Sequence, residues 1–180
     1  MKLPLPKFCI ADCDPTGDEV WVVHTQKPLL LVKVQLTGLV GIRLHCWSPE
    51  PIADTHQLMP LLREMGEFYS AEVEHLEGMP EQWNYIFSNS FTPPEYLVCD
   101  NEDRNFTGIL KTTVPRFVLL PHRQDISRIF GIIWLDEPPI NEIELMNRGM
   151  DWWLSYCQEE DQAEANEARV EDWEEDWEED

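Results

Sequence analysis

Alternation of apolar and polar residues over the first 47 positions predicts a run of short β-strands. In residues 41–47, Ile42, Leu44 and Cys46 alternate with residues of the opposite face, the period of two that is typical of a half-buried strand. Similar runs occupy residues 7–13, 19–25 and 29–36, separated by turn signals. Because strands that follow one another through short turns usually pair antiparallel, this region predicts a meander.

Two later segments show the period of a helix instead. The first begins at a capping-box pair, Asp54 and Gln57, and ends at Gly78. The second begins at a similar pair, Asn141 and Glu144. Apolar residues recur every three or four positions in both, which predicts one buried face on each helix. The first face comprises Leu58, Leu61, Leu62, Met65, Tyr69, Val73 and Leu76, and the second Ile143, Met146, Met150, Trp153, Leu154 and Cys157.

Further strands are predicted between the two helices. They occupy residues 96–99, 106–113, 116–120 and 126–135, whereas the aromatic stretch 83–91 fits neither a strand nor a helix clearly. The sequence therefore predicts an α+β fold: a mainly antiparallel sheet with two packed amphipathic helices and a disordered acidic C-terminal tail. We expect residues 1–157 to form a single globular domain and residues 158–180 to form the tail. Outside the tail, no internal repeat is evident.

The charge of the chain restricts its partners. Lys and Arg number 13 against 35 Asp and Glu, a formal net charge of −22. The tail accounts for about half of this, because it holds thirteen acids and one base, Arg169. A field of this sign repels nucleic acids and anionic membranes and attracts basic protein surfaces. The alternative is that the acids serve solubility alone.

The tail also carries aromatic residues, which are unusual in a segment that only confers solubility. The sequence Glu-Asp-Trp-Glu occurs twice, so Trp173 and Trp177 fall four residues apart, on one side of any helix that forms. Mutual repulsion of the acids predicts that the free tail is disordered. We expect it to dock on a basic surface, with the two rings as anchors and with Trp152, off the apolar stripe of the last helix, as an exposed aromatic near its root.

One segment of the body is basic. Residues 104–128 contain five of the twelve bases of the body and a single acid, Asp125, with phenylalanines between them. This composition favours an anion- or RNA-contacting face, and the tail could cover it in cis. The alternative is that the bases pair with acids of the same fold. The bases are Arg104, Lys111, Arg116, Arg123 and Arg128.

No motif for catalysis, cofactor binding or metal binding is found. Cys9 and Cys13 resemble half of a zinc site, but no second pair follows at a suitable spacing. The five histidines are scattered, and neither a nucleophile elbow nor a phosphate-binding glycine loop occurs. We therefore predict no catalytic residue, no cofactor and no metal. The absence of an apolar leader and the odd number of cysteines favour a cytoplasmic protein with reduced thiols.

These observations favour a non-catalytic accessory or adaptor protein that acts within a larger assembly and uses its acidic tail as a docking element. A second hypothesis is an acidic inhibitor that mimics a nucleic acid and neutralises a basic enzyme. A third is an accessory subunit of a ribonucleoprotein complex that contacts RNA through residues 104–128. An enzyme with a site assembled from scattered residues is a fourth. No stretch of the sequence identifies a family.

Overall fold

A single mixed sheet organises the chain. The structure, a computed structural model, describes residues 4–15, 19–37, 41–49, 55–72, 84–87, 92–122 and 125–175. Within these residues nine strands form the sheet in the order β5-β4-β3-β2-β1-β6-β7-β8-β9. The strands are β1 (Phe8–Asp12), β2 (Val20–His24), β3 (Leu30–Thr37), β4 (Gly41–Trp47), β5 (Asn84–Phe87), β6 (Tyr96–Asn101), β7 (Phe106–Lys111), β8 (Phe117–His122) and β9 (Asp125–Trp134).

All neighbouring strands pair antiparallel except β4 and β5, which are parallel. The α+β prediction with a mainly antiparallel sheet is therefore confirmed. The strand β5 lies in the aromatic stretch whose pattern was ambiguous. The strand β5 can run parallel to β4 because a helix lies between them in the chain and returns it to the same end of the sheet.

Two helices pack on one face of the sheet. A short 3-10 helix (Thr55–Leu58) leads into α1 (Met59–Glu72), and α2 spans Glu142–Glu175. Both begin close to the predicted positions, and Leu62, Met65 and Tyr69 of α1 are buried as expected. The predicted residues Val73 and Leu76 lie outside the described residues. Ile143 was expected on the buried stripe of α2 but is exposed, since the helix makes its first buried contact two residues later, at Leu145.

Strand alternation divides the core between the two faces of the sheet. The face that carries the helices has two clusters, one under α1 and one under α2. The opposite face forms a third cluster, made only of residues from strands and the turns between them. Its members include Cys9, Ala11, Trp21, Val23, Leu31, Leu97, Cys99, Leu110 and Val118, each at most 3 % exposed.

The chain contains an internal repeat that the sequence pattern did not reveal. Strands β1–β4 followed by α1 match strands β6–β9 followed by α2, and each set of four strands runs outward from the centre. At the centre β1 pairs with β6, and Ala11 lies opposite Cys99. On either side of this pair the register is symmetric, because Ile10 faces Asp100 and Asp12 faces Val98. A pseudo-two-fold axis therefore passes between Ala11 and Cys99, and the expectation of no repeat in the body is wrong.

Equivalent hydrogen bonds support this repeat. The Thr25 hydroxyl donates to the carbonyl of Pro6 at 2.5 Å, and the Thr112 hydroxyl donates to the carbonyl of Pro94 at the same distance. Each threonine follows the second strand of its half and is buried. Each proline lies two residues before the first strand of its half. The same bond thus ties the second strand to the start of the first in both halves.

The helices are seated by equivalent contacts as well. Next to the first strand, Lys7 forms an ion pair with Glu64 of α1, and Glu95 forms one with Arg148 of α2. One residue further, an aromatic ring on the strand packs on one from the helix. These pairs are Phe8 with Phe68, at 5.5 Å between centroids, and Tyr96 with Trp152, at 5.4 Å. The positions correspond, while the charges are reversed between the halves.

Candidate interaction surface

Helix α2 continues well past the sheet. Its last buried residues are Tyr156 and Cys157, and every side chain from Gln158 to Gln162 is exposed. The backbone nevertheless stays helical through Glu175, a length of ~27 Å beyond Cys157 at 1.5 Å per residue. The predicted boundary at Cys157 therefore marks where α2 leaves the sheet rather than where the helix ends. We call residues 158–175 the acidic extension.

Like charges dominate the acidic extension. It carries nine acids and one base, Arg169. Isolated helices of this length are marginal in water, and clustered like charges weaken them further. A helical backbone and the predicted tendency to disorder are therefore compatible. In the helical state, the period places positions 163 and 170 on the side that Tyr156 presents to the sheet, and position 173 about 100° away from that side.

The predicted aromatic anchors differ in how far the structure describes them. Trp152 is partly buried: its ring stacks on Tyr96 at 5.4 Å and lies 5.5 Å from the ring of Tyr156. The expectation of an exposed Trp152 is wrong, because Tyr96 of β6 lies beneath a helix position that the period alone places off the buried stripe. Trp173 belongs to the helical backbone of α2, and its side chain lies outside the described residues, as does the whole of Trp177.

Carboxylates cluster where the extension leaves the sheet. Asp12 is the last residue of β1 and Asp100 the penultimate residue of β6, at positions related by the pseudo-two-fold axis. They are diagonal neighbours across the β1–β6 pair, with Cα atoms about 7–8 Å apart. The Tyr156 hydroxyl of α2 donates to Asp12 Oδ1 at 2.5 Å. This bond links the C-terminal helix to the first strand of the N-terminal half and fixes the root of the extension.

The pKa values in this region record a concentration of negative charge. The pKa of Asp12 is raised to about 6, chiefly by burial and to a smaller extent by the charges of Asp100, Glu160 and Asp14, against the lowering effect of the hydrogen bond from Tyr156. Burial also raises the pKa of Asp100. On the extension side, burial together with Glu160 and Asp161 raises the pKa of the Cys157 thiol to about 11.

Further acids with interacting charges include one at the end of α1. Burial and the charges of Asp103 and Glu102 raise the pKa of Glu72 at the end of that helix. The charges that shift these pKa values belong to eight acids near the β1–β6 pair, the end of α1 and the start of the extension. We call this group the acidic band; it comprises Asp12, Asp14, Glu72, Asp100, Glu102, Asp103, Glu160 and Asp161. Sequence reasoning missed it, although the fifth residue of both central strands is Asp, in Phe-Cys-Ile-Ala-Asp and Tyr-Leu-Val-Cys-Asp-Asn.

The predicted basic face is not assembled. Lys111 is buried, donating to the Thr113 carbonyl at 2.8 Å with Glu95 at 3.8 Å, and burial lowers its pKa. Arg116 forms a two-pronged ion pair with Asp136, at 2.8 Å from Nε and 2.5 Å from Nη2. Lys111 and Arg116 are thus engaged by acids of their own fold, as the alternative interpretation of this segment expected.

The remaining predicted bases are dispersed. Arg104 lines an open cleft of about 1170 Å³ at one end of the sheet, together with Phe130 and His122. Arg128 is exposed and pairs with Asp125 at 2.9 Å. Arg123 lies outside the described residues. The period of the strands separates these residues because it sends neighbouring side chains to opposite faces.

Burial of the cysteines determines what their thiols can do. The described cysteines are all free, and burial raises the pKa of Cys9 and of Cys46 to about 12. Thiols with such values are protonated at neutral pH and are poor nucleophiles. Among the described residues, no group of three or more His, Cys, Asp or Glu side chains has the geometry to hold a metal ion.

Comparison of the chain with models of protein families, with curated proteins and with solved structures finds no match. Within the described part of the chain, neither helix has a stretch long and apolar enough to cross a membrane. We therefore infer the function of the protein from the surfaces of this chain alone.

Proposed function

We propose that this protein is a non-catalytic accessory or adaptor protein that binds a basic partner protein through the acidic extension and the acidic band at its root. The observation that carries the proposal is the continuation of α2 beyond Cys157 as a highly charged helix whose first five side chains are all exposed. The described side chains at the start of the extension, Gln158 to Gln162, face solvent and are accessible to a partner.

The chemistry of the extension defines the partner. Its nine acids attract a basic surface and accelerate the encounter, while apolar side chains supply most of the affinity once water is excluded. Val170 and Trp173 are spaced to provide such side chains on one face of the helix. The amphipathic pattern fits recognition of a helix by a groove with an apolar floor and basic rims.

The folded acidic band favours a second candidate function. An inhibitor that mimics a nucleic acid needs carboxylates spread over a folded face, and the band provides eight of them around the pseudo-two-fold axis. In this alternative the partner is a basic enzyme whose active site is covered. Both proposals assume a cytoplasmic location, which the free thiols of all described cysteines support.

Affinity capture with two forms of the chain tests the proposal. We expect the full-length protein to retain a partner from its native extract that a chain ending at Cys157 does not retain. A third form, in which the nine acids of residues 158–175 are replaced by their amides, keeps the length of the extension and removes its charge. The captured partner is then purified, and its Kd is measured for all three forms at two salt concentrations.

We expect binding to weaken at least tenfold with either change, and the loss to be smaller at high salt because screening already weakens the attraction. Equal binding by all three forms would contradict the proposal. The function of the partner separates the two candidates, since an inhibitor abolishes the activity of an enzyme and an adaptor leaves its partner active.

A further inference from the structure

The C-terminal helix and the first strand are joined by a hydrogen bond at the root of the acidic extension. The Tyr156 hydroxyl donates to Asp12 Oδ1 at 2.5 Å, and the Tyr156 ring packs on those of Trp152 and Trp153, at 5.5 Å and 5.8 Å between centroids. Tyr156 is 7 % exposed, and the extension begins two residues later, at Gln158. The Asp12 carboxyl is therefore fixed at the junction between the body and the extension.

The internal repeat shows that this bond is a feature of one half. By the correspondence of the aromatic residues that seat the helices, Tyr156 corresponds to Glu72 of α1. Asp100, which the pseudo-two-fold axis relates to Asp12, accepts a hydrogen bond from the Thr107 side chain of β7 and not from a helix. Of these two carboxyls, Asp12 is therefore the one bonded to the helix that carries the extension.

Acids face Asp12 from three elements of the fold. Asp100 does so from β6, Glu160 from α2 and Asp14 from the turn after β1. Other titratable or charged groups in this region are Cys13, Cys99, and Glu19 with Lys33, which pair with each other. A cationic group that binds at the root of the extension would therefore replace repulsion by attraction at the Asp12 carboxylate.

We propose that Asp12 makes the binding of a basic partner dependent on pH: the partner binds the protein in which this carboxyl is ionised, and acidification releases it. This regulation rests on the function proposed above, because it concerns the same surface. A bound cation favours the carboxylate, so by reciprocity a proton on Asp12 disfavours the partner. Binding to the protonated protein therefore transfers a proton from Asp12 to the solvent.

The pKa of Asp12, about 6 in the free protein, sets the pH range of the effect. At pH 8 the carboxyl is almost entirely ionised, whereas at pH 5 about one molecule in ten is ionised there. The apparent Kd rises as the fraction of binding-competent protein falls. We therefore expect the Kd of a basic partner to be about five- to tenfold larger at pH 5 than at pH 8.

A synthetic amphipathic peptide of lysine and leucine, with blocked ends and no histidine, tests the proposal on the full-length protein. Its charge is constant between pH 5 and 8, because lysine titrates at about 10.4. Its Kd is measured across this range, and the NMR shift of the Asp12 carboxyl carbon is followed with and without the peptide. We expect the affinity to fall towards pH 5 and the pKa of Asp12 to be lower in the complex.

Two substitutions assign the effect to Asp12 and to its bond. Asp12→Asn cannot ionise, so its Kd at pH 8 should be larger than that of the wild type and nearly constant down to pH 5. Tyr156→Phe keeps the ring but removes the hydrogen bond that lowers the pKa of Asp12, so the midpoint of the pH profile should move to higher pH. Glu159→Gln is the matched control. It removes an exposed acid of the extension and should weaken binding at every pH without moving the midpoint.

Three results would overturn the proposal: a wild-type pH profile in Asp12→Asn, a midpoint that does not rise in Tyr156→Phe, or tighter binding at pH 5 than at pH 8. Failure of the peptide to bind at any pH would overturn it too. The function proposed above fails in a different way. Equal binding at pH 8 by the wild type and by the form with amides in residues 158–175 contradicts the docking role of the extension, whatever the pH profile.

Discussion

The N-terminal half, residues 4–87, and the C-terminal half, residues 92–175, share one plan and differ at their surfaces. The shared contacts lie within the scaffold: the bonds of Thr25 and Thr112, and the aromatic and ionic contacts that seat each helix. The differences lie at the ends of elements. The described part of α1 ends at Glu72 whereas α2 runs on to Glu175, and within the described residues β4 has an outer neighbour, β5, whereas β9 has none.

This comparison separates contacts of the scaffold from features of one half. Contacts that are repeated in both halves are explained by the fold, because each half needs them to join its first two strands and to seat its helix. The acidic extension has no counterpart among these repeated contacts. For this reason we propose it as a surface that binds another molecule.

The largest expected effect concerns a position where the helices are seated differently. Because Glu64 of α1 corresponds to Arg148 of α2, the next residues, Met65 and Gly149, also correspond. Met65 is 1 % exposed. A Cβ atom added to Gly149 would lie 2.7 Å from Leu119 Cδ1. Met65→Ala should lower the free energy of unfolding by about 2–5 kcal/mol through the cavity it leaves. Gly149→Met should lower it by about 1–3 kcal/mol through overpacking.

Urea denaturation measures both changes, with Glu67→Ala on the exposed face of α1 as the control. A change in the free energy of unfolding below about 0.5 kcal/mol for Gly149→Met would be typical of a surface position. The small size of Gly149 would then not be what allows α2 to lie close to the sheet. The correspondence between the two helices would then describe their positions and not their packing.

A smaller effect tests the repeat itself. Thr25→Val and Thr112→Val each remove a hydroxyl that bonds a proline carbonyl, and we expect each to cost about 1–2 kcal/mol because the carbonyl loses its donor. The two losses should be similar and should add in the double variant, since the sites share no partner. A loss confined to one half in thermal denaturation would show that the two bonds are equivalent in geometry but not in energy.

The acids at the axis predict a pH dependence. The folded-state pKa of Asp12, about 6, lies above the value near 3.9 that is usual for an unfolded chain, so ionisation of Asp12 opposes folding increasingly as the pH rises between these values. Asp12→Asn removes this penalty and keeps an acceptor for Tyr156. At pH 8 we expect it to stabilise the fold by about 1 kcal/mol, a value reduced for the partial exposure of the side chain.

The gain should be about half as large at pH 5, where the folded state is mostly protonated at this site. Unfolding in urea at several pH values between 5 and 8 measures it. A stabilisation that is independent of pH would mean that the hydrogen bond, and not the charge, sets the effect of the substitution.

The sequence pattern predicted those features that depend on neighbouring residues. Eight of the nine strands and the starts of both helices follow from periods of two and of three to four. The repeat was missed because its two halves share few identical residues and differ in charge at corresponding positions, as at Lys7 and Glu95. Its evidence lies in the register of β1 with β6, which are far apart in the sequence.

The binding surfaces were predictable only in part. The start of the acidic extension coincides with the end of the apolar stripe, so composition located it. The acidic band depends on Tyr156 reaching Asp12 across 144 residues of chain, which no local pattern contains. Lys111 appeared to be a surface base because lysine is rarely buried, but in the fold Thr113 and Glu95 compensate its burial.

The smallest expected effects distinguish two ion pairs that occupy corresponding positions. Lys7 and Glu64 are both about half exposed, so Lys7→Met should change the free energy of unfolding by less than about 1 kcal/mol. Glu95 pairs not only with Arg148 at 3.3 Å but also faces the buried amine of Lys111 at 3.8 Å. Glu95→Gln therefore leaves a buried positive charge without its nearest acid and should cost more than Lys7→Met, by about 1 kcal/mol.

Adding Lys111→Met to Glu95→Gln should recover this excess, because the buried charge is then gone, whereas adding it to Lys7→Met should not. Equal losses for the two single substitutions would show that Thr113 alone is sufficient to hold Lys111, and the two ion pairs would then be equivalent in energy as well as in position.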